Sequence, residues 1–224
     1  MLALFACFSP PVMLGTIITE WSLAALVILH YRLTLSRRLI VFMLICLGGF
    51  QLAEYSVCGH YGYSLLWSRL GYILITLLPA LGIHLVASLS QARTQLVFVP
   101  YTLAATFAGL FAVLPNNLNQ SVCTGNYIIF QLNPVLGRLW GWYYLAAITT
   151  GLLLTANGAA SGRAKSRPAL FWLAIGYLSF MLPSLIIYWV APATGLGMPS
   201  IMCGFALGLA IVLGFKIAPA TPER

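Results

Sequence analysis

Three acidic side chains occur in 224 residues, Glu20, Glu54 and Glu223, and the first two stand inside apolar runs. A charge at the centre of a membrane helix costs about 2.5–3.5 kcal/mol on insertion scales, so such groups are expected to face a protein interior and find partners. Two kinds of chemistry are open to them: an ion pair with a buried base, or a neutral acid that takes up and releases a proton. Glu54 has a candidate base in Arg69, across a short turn, and Gln51 lies three positions earlier on the same helical face as Glu54. The pair reads either as a structural clasp between two helices or as part of a polar pocket that binds a ligand or relays protons. Glu20 has no base at its depth, and an apolar setting disfavours a charged carboxylate. It is therefore the candidate for a proton-linked role, with a hydrogen-bonded structural acid as the plain alternative.

Tyr72 and His84 complete the candidate set for ligand binding or proton transfer. His84 follows Arg69 at a spacing that leaves the two about 60° apart on a helix, so both can look into one bundle interior. A lone buried His also serves as an ordinary satisfied polar residue. Nothing in the chain has nucleophile–base or metal-ligand spacing: there is no Cys-x-x-Cys, no His-x-x-x-His and no Asp, and the three His fall at different depths. No catalytic residue, metal or cofactor is expected, and a zinc-dependent seven-helix hydrolase is rejected on those grounds. Retinal binding is rejected because Lys216 lies at the end of the last apolar segment and not at its middle.

These residues are carried by seven apolar stretches, at roughly 12–31, 39–57, 63–89, 95–114, 135–157, 169–191 and 198–216. Each is near the ~20 residues that cross a ~30 Å hydrocarbon core. The chain is 61% hydrophobic and 6% charged, with a mean hydropathy of +0.97, where a soluble domain carries roughly 25% charged residues. Backbone groups in lipid must be satisfied internally, so each stretch is expected to be a helix. The expected architecture is an all-α, single-domain, seven-transmembrane-helix bundle over residues 1–224, with the lipid bilayer as its main partner. Arg32, Arg37, Arg38, Arg93, Arg163, Lys165, Arg167, Lys216 and Arg224 fall on one side of it. The positive-inside rule then puts the N-terminus outside and the C-terminus in the cytoplasm. The net charge of +8 is spread between apolar segments and forms no nucleic-acid-binding patch.

With that orientation Cys7, Cys58 and Cys123 face outward, while Cys46 and Cys203 lie within helices. A Cys58–Cys123 disulfide would pin the 115–134 loop over the helix ends; Cys7 is a rival partner, and three reduced thiols are the alternative. Leu4-Phe5-Ala6-Cys7 loosely matches a lipoprotein cleavage box but lacks a positive region ahead of it. Asn119-Gln120-Ser121 would be a glycosylation acceptor only in a eukaryotic lumenal loop. Pro79, Pro100 and Pro183 are expected to kink the third, fourth and sixth helices. Trp140, Trp142, Tyr143 and Tyr144, with Tyr188 and Trp189, read first as an outer aromatic belt and second as the lining of a site for an organic ligand. Gly204 and Gly208 permit a close helix contact, within the bundle or in a homodimer.

Two resemblances attach to these motifs. Cys7-Phe8-Ser9, with Gln51-x-x-Glu54, resembles an uncharacterised bacterial seven-helix membrane protein family with an N-terminal Cys-Phe-Ser signature. Its members carry the Cys directly after the initiator Met, where five further residues stand here. Trp67-x-Arg69-Leu70-x-Tyr72, followed by Pro79, is similar to the third helix of the seven-helix sensor region of bacterial histidine kinases, and Glu54 matches an acidic position in that region's second helix. The expected protein is a receptor-like or accessory protein of a bacterial cytoplasmic (inner) membrane that binds a small ligand or a membrane partner through an outward-facing polar pocket around Glu54, Arg69, Glu20 and Gln51. The cytoplasmic connections are too short for an output domain, so signalling would need a partner. A small proton-coupled transporter using Glu20 is the alternative, although no inverted repeat is evident; a membrane-embedded enzyme is third.

Overall fold

The computed structural model describes residues 10–59, 62–90, 94–114, 118, 121–124, 127–160 and 166–221. Cys7 and the N-terminal box, His60, Arg93, Asn119, Gln120, Arg163, Lys165, Glu223 and Arg224 lie outside them.

Among the described residues seven helices are long and apolar enough to cross a membrane, the pattern of a multi-pass membrane protein. The first three are α1 (Pro10–His30), α2 (Leu35–Cys58) and α3 (Ser64–Ser90). A 3₁₀ turn at Thr94–Val97 leads into α4 (Phe98–Val113). After two short strands come α5 (Pro134–Ala160) and α6 (Arg167–Val190). Asn133 starts α5 by accepting the Val135 and Leu136 backbone N–H groups on its Oδ1, at 3.0 and 3.4 Å. Pro134 follows at a position whose N–H would have no helical partner.

The seventh span is not the single helix expected over 198–216. It runs from a 3₁₀ segment (Pro192–Gly197) into α7 (Met198–Phe205), then α8 (Leu207–Val212), a π-helical turn (Leu213–Ile217) and α9 (Ala218–Ala220). At the α7–α8 break the Ala206 N–H is shared between the carbonyls of Met202 and Cys203, at 2.9 and 3.1 Å. Gly208 sits just past the break with Ser179 of α6 against it, so its close approach lies inside the bundle.

α2 and α3 form the centre. α2 packs between α1 and α3; α3 also meets α4 and α5; α6 joins α5 to the seventh span, which closes back on α1. α4 is the most peripheral and buries only Ala104, Phe107 and Phe111. α1 buries one stripe at helical spacing, Met13, Thr16, Ile17, Glu20, Leu23, Ala24 and Val27, with an acid in the middle of it.

At one end of the bundle Val122–Cys123 (β1) and Ile128–Ile129 (β2) pair antiparallel, Val122 opposite Ile129 and Cys123 opposite Ile128. The sequence gives no strand signal there. Cys123 is joined to Cys58 at the end of α2, with a Cα–Cα distance of 5.7 Å. Ile128 and Phe130 are buried in the bundle end, where Phe130 meets Tyr72 edge-on with ring centroids 5.2 Å apart. At the opposite end the buried Arg37 guanidinium donates to the carbonyls of Arg32 (3.0 Å), Ala218 (3.1 Å) and Thr221 (3.0 Å), which ties the end of the seventh span to the start of α2.

Two of the three prolines lie inside helices, Pro79 in α3 and Pro183 in α6. Pro100 falls in the first turn of α4, where a missing N–H breaks no helical bond, and so it is not a kink site.

Candidate functional site

The expected Glu54–Arg69 pair does not form. Both carboxylate oxygens of Glu54 lack a hydrogen-bond partner, and so does Arg69 Nε. The reason is rotation about α3. Gly71 and Leu74 of α3 are seated on α2, Leu74 against Gly49, and a Cβ built on Gly71 would lie 3.2 Å from Ala53 Cβ. Arg69 is two residues away, about 200° around the helix, and faces α4 instead. There its Nη1 reaches the Ala112 carbonyl at 3.5 Å, beside the C-terminal end of α4, where a cation is favoured. His84 looks the same way: its Nδ1 lies 3.0 Å from the Tyr101 hydroxyl of α4. The two residues do share a face of α3, but that face is covered by α4 and is not the bundle interior.

Glu54 is turned toward α1 and α7. It stands within electrostatic reach of Glu20, Tyr72 and Cys203, with Ser200 beside it. Glu20 and Glu54 are both 0% exposed, and Gln51 is 1% exposed. Among the described residues, all four carboxylate oxygens, and Gln51 Nε2, lack a hydrogen-bond partner. Ser200 is close to Glu54, yet its Oγ accepts the Ile128 N–H at 3.3 Å, and no hydrogen bond of good geometry reaches the carboxylate. The site is thus two acids from different helices, an amide, and the hydroxyls of Tyr72 and Ser200. Among the described residues no group of His, Cys, Asp and Glu is placed to hold a metal ion.

Next to this buried polar cluster lies an open cavity of different character. A cavity of about 760 Å³ runs between the halves of α5 and α6 nearest the hairpin, α7 and the β2 segment. Tyr72, Phe130, Trp140, Tyr144, Met181 and Met202 form its inner wall, and Arg138, Asn133 and Gln131 give it a polar rim. Its volume falls in the roughly 300–1,000 Å³ range of small-molecule sites. No protein-family model, curated protein or solved structure matches this chain.

The expected polar pocket is therefore divided. Of its six candidate residues Tyr72 alone lines the cavity; Glu20, Gln51 and Glu54 are sealed behind it, and Arg69 and His84 face α4. The aromatic group is divided too. Trp142 and Trp189 are 71% and 84% exposed, as a belt requires. Trp140, Tyr143 and Tyr144 are buried, and Trp140, Tyr144 and Tyr188 line the cavity. Ser200, Cys203 and Met202 were not legible as site residues, because a small polar or sulfur-bearing residue in an apolar run carries no signal of which way it faces.

A second, small cavity of about 30 Å³ sits deeper, against Pro79 and Cys203. It shares Tyr144, Ile148 and Met202 with the large one.

Proposed function

We propose that the chain is a membrane-embedded binding protein of receptor-like or accessory type in a bacterial cytoplasmic membrane, with its N-terminus and hairpin end outside. Its ligand is an amphiphile: an apolar body fills the aromatic and methionine-lined cavity, and a polar or anionic head lies at Arg138, Asn133 and Gln131. The observation that carries this reading is the cavity of about 760 Å³, with an apolar inner wall and a polar rim. Several lining residues, Leu145, Leu185, Tyr188 and Leu196, are also exposed at the bundle surface, which suits entry from the outer leaflet. Methionine and aromatic walls accommodate an irregular apolar ligand because they combine polarisable surface with adaptable shape. Signalling would pass to a separate membrane partner.

Gly141 offers a direct test. It lines the cavity, and a Cβ there would meet nothing within 4 Å. Gly141→Trp should therefore fill the space with little strain on the helix. With oleate as the probe, native mass spectrometry should show one bound molecule per wild-type chain, with affinity falling at least tenfold in Gly141→Trp. Oleate that fails to bind, or that binds both proteins equally, would remove this reading.

A further inference from the structure

Glu20 and Glu54 are left unused by a ligand in the cavity. They come from different helices, both are 0% exposed, and none of their four oxygens has a hydrogen-bond partner. Among the described residues, Tyr72 from α3 and Ser200 and Cys203 from α7 interact with them, and Gln51 of α2 lies one turn from Glu54. No basic side chain is among these. Arg69 and His84 face α4, and Arg37 lies at the opposite end of the bundle.

Two ionised carboxylates in this position would be unpaired, mutually repelling and unable to hydrogen-bond each other, since an ionised carboxylate only accepts. A proton removes all three difficulties. It binds one carboxylate oxygen, cancels one buried charge, and creates an O–H that a neighbouring carboxyl oxygen can accept. Gln51 adds an unpaired donor on the same face of α2. Its amide Nε2 is buried on the face of α2 that carries Glu54, one turn away, and it too lacks an acceptor.

We propose that Glu20 and Glu54 together form a proton-binding site, reached from the large cavity past Tyr72. Tyr72 is the contact between the two compartments: its ring belongs to the cavity wall, and it stands within electrostatic reach of Glu54. The site rests on the cavity's geometry and not on what the cavity binds, so it stands or falls separately from the amphiphile.

The chain suits an infrared test because Glu223 is its one other acidic side chain. In a Glu223→Gln background, the full chain in nanodiscs at neutral pH should show the carbonyl band of a protonated carboxylic acid. The band should shift down in D₂O and disappear in the Glu20→Gln/Glu54→Gln double variant. Tyr72→Phe should keep the band and slow its exchange with D₂O at least threefold. A parent protein without the band overturns the proposal without any need for the double variant to fold. A band that survives the double variant also overturns it. Exchange at the parent rate in Tyr72→Phe overturns the route. Loss of the band on adding sodium chloride would make the site one for a metal cation, and that too overturns the proposal.

Discussion

Trp140 of α5 donates its indole N–H to the Thr76 hydroxyl of α3 at 2.8 Å. One turn further along α5, the Tyr143 hydroxyl donates to the Thr76 backbone carbonyl at 2.9 Å. Thr76 stands just before Pro79, whose ring removes a helical donor and disturbs the carbonyls of the preceding turn. Side chains of α5 thus supply hydrogen bonds where the α3 ladder is weakened, as a proline inside a membrane helix requires. Tyr143→Phe should lower unfolding free energy by about 1 kcal/mol. Thr76→Val should cost about 1–3 kcal/mol by leaving the buried Trp140 N–H unsatisfied. Chemical denaturation in detergent, followed by tryptophan fluorescence, measures both.

Tyr177 supplies a second contact, this time one of shape. Its hydroxyl lies against Gly82 of α3 and Gly151 of α5, and a Cβ on Gly151 would come within 2.8 Å of it. Gly151→Ala should therefore destabilise the bundle by about 1–3 kcal/mol through overpacking. Adding Tyr177→Phe removes the crowded oxygen and should recover part of the loss. A double variant no more stable than Gly151→Ala alone would show that the crowding lies elsewhere.

The separation of Glu54 from Arg69 predicts an absence of coupling. Glu54→Gln and Arg69→Gln should each change stability, and the double variant should match their sum within about 0.5 kcal/mol. A coupling energy above 1 kcal/mol would mean that the two groups do meet.

The seven apolar segments, their order and the short connections were legible, because a lipid-spanning helix must announce itself in composition over about 20 residues. Which way a helix is turned was not. Glu54 and Arg69 sit at depths that permit a pair, and the seating of α3 on α2, with Gly71 on Ala53 and Leu74 on Gly49, is a tertiary event that sends them to different faces. The aromatic cluster was ambiguous for a similar reason: Trp140 and Trp142 are two residues apart and chemically identical, yet one lines a cavity and the other is exposed. The broken seventh span was marked only by Gly204 and Gly208 on either side of Ala206, which read as a close helix contact and not as a break. Two-residue strands are likewise too short to show a period.

The bond between Cys58 and Cys123 encloses α3 and α4. Two thiols can join only when they arrive on the same face, so in the proposed membrane setting the chain between them would cross the bilayer an even number of times. α4 is the helix with least to hold it in place, since it buries three side chains and leans almost wholly on α3. If α4 failed to insert, the two cysteines would be stranded in different compartments and the bond could not close. The disulfide thereby reports the parity of the crossings: it closes when α3 and α4 cross together, and a chain in which one of them alone fails to cross is left with two free thiols.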